Sequence, residues 1–403
     1  MKPPLKILII GYEFVPLLGG AAAYTRELAV GLSRNGVQVH VLTCYHGKMT
    51  QNMELDAQLK EQYGISIRRF RPRGKIFYFQ LWYHVIKLYG FQFAQNFHWI
   101  IMADARAVRF SMVFLPKKIW PKCLNIFHGG QINKIMLNPS FWIRLLRINK
   151  QFKSYLFRSF GGITVSSFQR KQFLTLDKRL ASKIHTVYHG VDEEIFKPLS
   201  RRERLNVRRQ YELGHDEVVI ISSSRLTAEK GQDYLLKAFA GIQDKYPNVK
   251  IVLAGGGDYA AGLKRMAKEL GVESRVLFTG QMAREKLALL TAACDFAVML
   301  SRIPFEAFGL VSLEANACGL PVLAGNQAGV PEAVEEGISG ILVNPEDISA
   351  IQQGLELLLR NKKYEQLGKT ALDRVLRDYT CAIMSKNTLK ILQRGAYETK
   401  PTK

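Results

Sequence analysis

The 403-residue chain predicts an α/β protein made of two doubly wound, Rossmann-like domains facing each other across a cleft. Three observations carry this prediction. The length exceeds what one ordinary core accommodates, so two domains of roughly 200 residues are expected. Short apolar runs alternate with helical patterns, which is the order of parallel βαβ units. The loops after several of those runs are glycine-rich, and ligands of such sheets sit at the carboxyl ends of strands.

Residues 6–11, KILIIG, are a continuous apolar run, followed by a glycine-containing loop and a helical pattern over 24–35. Gly36 ends that helix, and 37–43, VQVHVLT, read as the next strand. Gly19 and Gly20 fall at the first strand's carboxyl end. They serve as a plain turn or a phosphate contact, because no G-x-G-x-x-G is completed. Residues 66–99 follow no such alternation: RRFRPRGK runs straight into a segment with ten aromatic residues. Residues 99–103 then read as a strand ending at Asp104, and 123–127 as one delivering His128, Gly129 and Gly130. Residues 134–153 are again basic and aromatic, and 163–166 and 184–188 are short apolar strands. The second of these ends in His189-Gly190-Val191-Asp192, with Asp192 placed to cap the following turn.

The charged run 200–209 lacks strand character and is assigned to the interdomain linker. Domains are therefore expected at 1–200 and 201–375, with 376–403 a helical tail packing back on the first domain. Beyond the linker the alternation is cleaner. Strands are expected at 218–222, 249–253, 276–278, 296–300, 322–324 and 340–343, and helices at 232–242, 260–270 and 310–318.

Composition is ordinary at 47% hydrophobic and 23% charged, but the net charge of +23 is not. Residues 1–200 hold 29 Lys and Arg against 10 Asp and Glu, whereas the remainder holds 28 against 24. Five scattered cysteines without a C-x-x-C pair suit reduced core positions in the cytosol. The opening apolar run is too short for a signal peptide, and no stretch reaches the 18 or so apolar residues a spanning helix needs. Residues 88–103 come nearest and are broken by Gln92, Gln95, Asn96 and His98. A cytoplasmic protein, soluble or held at a membrane surface, is expected.

The densest chemistry lies at 298–332. Glu306 and Glu314 stand eight residues apart, with Phe308-Gly309-Leu310 between them and a helix beginning where the glycine ends. Bare helix N–H groups suit a phosphate, and a carboxylate a turn into the helix suits a hydroxyl. Arg225 and Lys230 follow a strand and can close on a diphosphate, the first as a fork and the second as a point charge, or stand as a solvated pair. Gly255, Gly256 and Gly257 either admit a ligand to the backbone or form a turn. His128 is a structural ring or a site residue on the same terms. No Cys or His spacing suits a metal, and no Asp-x-Asp occurs, so diphosphate charge would fall to Arg225, Lys230 and helix amides.

Taken together, SRLTAEKG, LAGGGD, the Gly280 turn in VLFTGQM, the E-x7-E of Glu306 and Glu314, and ACGLPVLAGNQAGVPEAVEEGISGILVNPED resemble the retaining, metal-independent glycosyltransferases of the glycogen-synthase-like family four. The resemblance is specific over about 184–350 and rests in the first half only on Gly19-Gly20, FHGG and HGVD. It implies the GT-B fold, no cofactor, and transfer from a UDP- or GDP-linked sugar to a saccharide or lipid-linked acceptor in cell-envelope polysaccharide or lipopolysaccharide synthesis. By the same resemblance, Arg225 and Lys230 bind the donor diphosphate, Glu306 the sugar hydroxyls and Glu314 the ribose. Amides of Phe308, Gly309 and Leu310 touch sugar and phosphate, Gly19 and Gly20 approach the phosphate, and His128 lies beside the donor sugar. Gly255, Gly256, Gln281 and Met282 complete the donor site, the last two near the base. The chain departs from the family at Ala328, where a glycine is usual, and at Asn316, where methionine is frequent. A nucleotide-sugar epimerase or a non-catalytic binding protein of the same fold is the alternative.

The basic half admits three partners: nucleic acid, solvent alone, or an anionic membrane surface. Nucleic acid is disfavoured because such a protein does not need the donor site. The membrane is favoured because Arg68, Arg69, Arg71, Arg73 and Lys75 run directly into Phe77, Phe79, Trp82 and Tyr83.

Overall fold

The computed structural model describes residues 4–17, 19–72, 77–90, 93–129, 140–141, 147–304 and 306–398. It divides into two compact units, Met1–Gly190 with Cys381–Lys403, and Val191–Thr380.

The first unit is built on a parallel seven-stranded sheet. Its strands are β1 (Lys6–Ile10), β2 (Gln38–Cys44), β3 (Ser66–Phe70), β4 (Trp99–Met102), β5 (Cys123–Phe127), β6 (Gly161–Thr164) and β7 (Ile184–Thr186), in the order β3-β2-β1-β4-β5-β6-β7. Ile7, Leu8, Ile9 and Ile10 are all fully buried, as a central strand covered on both faces requires. Ile9 pairs with Val41 on one side and Ile101 on the other. The winding reverses between β1 and β4, so a crevice is expected outside their carboxyl ends. The helix Cys381–Glu398 lies against Gly20–Arg34, where a Cβ on Gly31 would stand 2.7 Å from the Cys381 carbonyl oxygen.

The second unit carries β8 (Val218–Ser223), β9 (Val249–Ala254), β10 (Val276–Gly280), β11 (Phe296–Met299), β12 (Val322–Gly325) and β13 (Gly340–Val343). They form a parallel sheet in the order β10-β9-β8-β11-β12-β13, whose winding reverses between β8 and β11.

The expectations for the linker and the first helix need correction, and the atypical region gains a structure. The run assigned to the linker is a helix, Arg201–Gln210, within the second unit; Ser200 and Glu203 close a capping box at its start. Its charges are not solvated spacers, since Arg204 and Arg208, one turn apart, each reach Asp295 at 2.6 Å. The atypical region after residue 66 contains β3 and the helix Phe77–Tyr89. The first helix begins at Gly20 rather than at residue 24. Among the described residues, no helix is long and apolar enough to cross a membrane. Cys44, Cys123, Cys294, Cys318 and Cys381 are buried, and none forms a disulfide among the described residues.

Candidate active site

In the second unit, β8 hands the chain to Ser224 and Arg225. The buried Gln232 donates to Ser224 Oγ at 2.7 Å and to the Arg225 carbonyl at 3.1 Å. The turn is thereby pinned while the Arg225 side chain stays exposed. Lys230 follows in the single turn Ala228–Lys230, and its Nζ stands 2.6 Å from Glu306 Oε2. Ser301 Oγ donates to the same oxygen at 2.8 Å. Lys230 comes from the loop after β8 and Glu306 from the loop after β11, so the pair forms where the winding reverses.

Arg302 ties these two loops together. Its backbone N–H donates to the Glu229 carbonyl at 2.8 Å, and its guanidinium reaches the Ala228 carbonyl, Asp233 at 3.4 Å and the face of Tyr234 at 4.5 Å. Below them, Phe308 is buried, 5.9 Å from the Tyr379 ring. Gly309 follows with φ 87, and a Cβ there would stand 2.9 Å from Met299 Sδ, so both backbone and packing demand glycine. No side-chain hydrogen bond caps the helix Leu310–Ala317 that Gly309 starts, so its N-terminal dipole is placed to attract an anion. Glu314 is buried one turn in, with Oε1 3.4 Å from Arg284 Nη2, and Arg284 in turn lies over Phe196.

Gly255 and Gly257 have a structural cause of their own, whereas a Cβ on Gly256 would make only ordinary contact, 3.5 Å from the Gln281 Cβ. A Cβ on Gly255 would stand 1.9 Å from the Ser224 carbonyl oxygen. Gly255 N–H donates to the Gly280 carbonyl at 3.0 Å, and Leu226 N–H to the Gly256 carbonyl at 2.9 Å. These bonds lace the loops after β8, β9 and β10 together. Gln281 is exposed and Met282 half-buried just beyond β10.

In the first unit, Gly19 and Gly20 are exposed at the start of the helix Gly20–Arg34, and a Cβ on Gly20 would meet no atom within 4 Å. Among the described residues nothing therefore demands glycine at position 20, whereas the backbone of Gly19, at φ 147, favours it. His189 Nε2 lies 3.3 Å from the Gly20 carbonyl, and its Nδ1 lies 3.5 Å from Glu27 Oε2. The Tyr24 ring stands edge-on to both His128 and His189, with centroids 4.9 Å from each. His128 Nε2 is 2.8 Å from the Ala103 carbonyl, so this nitrogen carries the proton and donates. Burial pushes the His128 imidazole down to about 4, which makes it a neutral ring near pH 7. Sequence reasoning singled out His189 in HGVD but missed Gln232, Arg284, Ser301, Arg302, Tyr24 and Glu27 as neighbours of these groups.

The basic segment divides. Arg68 and Arg71 are exposed, but the Arg69 side chain is only 1% exposed and pairs with Asp56, which removes it from any membrane face. Phe77 is likewise buried, with Leu81 and Val85, whereas Phe79, Trp82 and Tyr83 are 64%, 40% and 54% exposed on the other side of the same helix. Arg73, Lys75 and Gly130 lie outside the described residues, as does most of 134–146. Among the described residues, no cluster of three or more His, Cys, Asp or Glu could hold a metal.

Two family models account for most of the chain. Residues 203–374 match the glycosyl transferases group 1, and residues 18–195 match glycosyltransferase family 4. An uncharacterized glycosyltransferase of Methanocaldococcus jannaschii is 26% identical over 96% of this chain and 97% of its own length. A GDP-mannose-dependent alpha-(1-6)-phosphatidylinositol monomannoside mannosyltransferase of Mycolicibacterium smegmatis is 36% identical over 59% of this chain and 60% of its own length. Among solved structures, Anabaena HepE in complex with UDP and glucose superposes with a TM-score of 0.77 at 24% identity, over 96% of this chain and 99% of that one. That likeness places the fold among the GT-B structures.

Proposed function

Because this chain belongs to the family-four glycosyltransferases and uses a nucleotide-sugar donor, we propose that it transfers the sugar with retention of configuration and without a metal ion. The acceptor is a saccharide or lipid-linked saccharide of cell-envelope polysaccharide or lipopolysaccharide synthesis, met at the inner face of the cytoplasmic membrane. The observation that carries this reading is the 2.6 Å contact between Lys230 and Glu306 at the reversal between β8 and β11. A cation for phosphate and a carboxylate for hydroxyls stand side by side, next to an uncapped helix start.

On donor binding, the diphosphate replaces Glu306 as the partner of Lys230, and Arg225 closes on it as a fork. The freed carboxylate accepts hydrogen bonds from the sugar, and Glu314 accepts from the ribose. As the bond to the anomeric carbon breaks, charge grows on the departing diphosphate. Lys230, Arg225 and the amides near Gly309 hold that charge more tightly in the transition state than before it. With no nucleophile assigned, attack comes from the face the leaving group departs from. Gly20 and His128 of the first unit are assigned the remaining donor contacts. The neutral His128 ring offers a lone pair and no positive charge.

The base we propose is uracil or guanine: HepE is described with UDP, and the mycobacterial relative is GDP-mannose-dependent. A thermal-shift panel of UDP, GDP, ADP and their sugars identifies it, since a ligand at 100 times its Kd adds about 2.7 kcal/mol. With the donor known, Lys230→Ala and Glu306→Ala are each expected to lower kcat/KM about 100-fold or more while the protein stays folded. Full turnover is expected in EDTA, and nucleoside diphosphate is released only when acceptor is present. Near-normal kcat/KM in Lys230→Ala, or dependence on a divalent ion, would sink the scheme.

A further inference from the structure

The loop between β1 and the helix Gly20–Arg34 has no helix or strand over residues 11–17, yet side chains from three other strand ends hold its backbone. Beyond β4, Asp104 accepts from the N–H groups of Tyr12 and Glu13, the latter at 2.9 Å. Beyond β2, His46 Nε2 meets the Tyr12 carbonyl at 2.7 Å. From β3, Arg69 reaches the centre of the loop: Nη2 donates to the Val15 carbonyl at 2.7 Å, and the guanidinium lies 5.4 Å from the centre of the Phe14 ring. Its other bonds go to the Cys44 carbonyl at 3.0 Å and to Asp56, on the helix Met49–Tyr63, at 2.8 Å.

We propose that Arg69, oriented by Asp56, is a positioning residue for the Gly19-Gly20 turn. The geometry is specific to arginine. Each of its three guanidinium nitrogens has an acceptor, and the acceptors come from β2, from a neighbouring helix and from the loop. A lysine brings the charge but a single donor atom, so it cannot hold Asp56 and two carbonyls in one plane. Val15 lies four residues before Gly19, so the arginine fixes the stem from which the exposed turn projects. Asp104 and His46 hold the start of that stem, and among the side chains of the described residues it is Arg69 that holds its middle. The catalytic consequence rests on the donor role proposed above for Gly20. The holding of the loop does not.

The test uses Arg69→Lys in the full chain, with hydrogen exchange and kinetics as separate readouts. Exchange of the amides in residues 12–17 is expected to quicken about ten-fold or more, with the sheet core unchanged. Unchanged loop exchange overturns the inference whether or not turnover is measured. In the active enzyme, kcat/KM for the donor should fall about ten-fold or more, because small misplacements of a binding element are costly. Gly20→Ala supplies the coupling test, since its Cβ would meet no atom of the described residues packed around it within 4 Å. If Arg69 acts through the turn, Arg69→Lys costs no more than about three-fold in the Gly20→Ala background. Full additivity of the two losses overturns the route through Gly20. Asp56→Asn is the milder second variant and should move both readouts in the same direction. Quickened loop exchange in a chain that turns over no nucleotide sugar would defeat the proposed reaction and leave the loop's anchor standing.

Discussion

Ala328 shows what a single residue discloses and what it hides. Its departure from the family's glycine is visible in the sequence, and the cause appears only in the backbone, where Ala328 sits at φ 54. A left-handed conformation costs a residue with a Cβ roughly 1–2 kcal/mol. Glycine removes that cost and gives back roughly 0.5–1 kcal/mol through its freer unfolded chain. Ala328→Gly is therefore expected to stabilise the second unit by about 0.5–1 kcal/mol, raising its Tm by about 2 °C. A lowered Tm would mean that the Ala328 methyl contributes packing that outweighs the strain. The site residues divide along the same line. Lys230 and Glu306 stood out because each follows a strand and carries a charge, and the structure brings the two together. Arg69 was misread because a run of arginines looks uniform in sequence, whereas its carboxylate partner stands 13 residues earlier on another element. Arg302 and Gln232 were missed because their work is done through backbone carbonyls, which leave no mark on composition. Asn316, the other departure, is buried and donates to the Leu320 and Ser339 carbonyls, bonds that a methionine could not make.

Elements were legible wherever hydrophobicity had a period. The central strands announced themselves as apolar runs because both faces of each sheet are covered. Strand β3, SIRRF, did not, since an edge strand with one covered side carries polar residues as readily as apolar ones. The helix Phe77–Tyr89 was obscured by its aromatics, which occupy the buried and exposed sides alike. The helix Arg201–Gln210 was hidden by charge, although Ser200-Arg201-Arg202-Glu203 spells a capping box. Ser200 Oγ accepts from the Glu203 N–H at 3.3 Å, and Glu203 accepts in return from the Ser200 N–H at 2.9 Å. Ser200→Ala should cost about 1 kcal/mol of the second unit's stability. An unchanged unfolding midpoint in denaturant would show that Arg204 and Arg208, through Asp295, hold this helix without its cap.

At the scale of the whole molecule, the charge asymmetry asks for a partner. Residues 1–200 carry 29 basic against 10 acidic side chains, and the same half exposes Met49, Met53, Phe79, Trp82, Tyr83 and Val113. The helix Phe77–Tyr89 is tied to the basic stretch before it, since Gln80 donates to the Arg71 carbonyl at 3.2 Å. We propose that this face meets anionic lipid, with Arg68 and Arg71 at the headgroups and Phe79, Trp82 and Tyr83 in the interface. A basic side chain near such a surface contributes about 1 kcal/mol, so Arg68→Gln with Arg71→Gln should weaken partition into phosphatidylglycerol-containing vesicles about 30-fold at low salt. Raising the salt should narrow the gap, because the Debye length falls to about 10 Å at 0.1 M. Phe79→Ser with Trp82→Ser should weaken partition at every salt concentration, since area removed from water is not screened. Arg69→Lys should change nothing in this assay, because its side chain is 1% exposed. Equal flotation of the wild type and the Arg68→Gln, Arg71→Gln protein would end the lipid reading, and the surplus charge would then be a solvated surface.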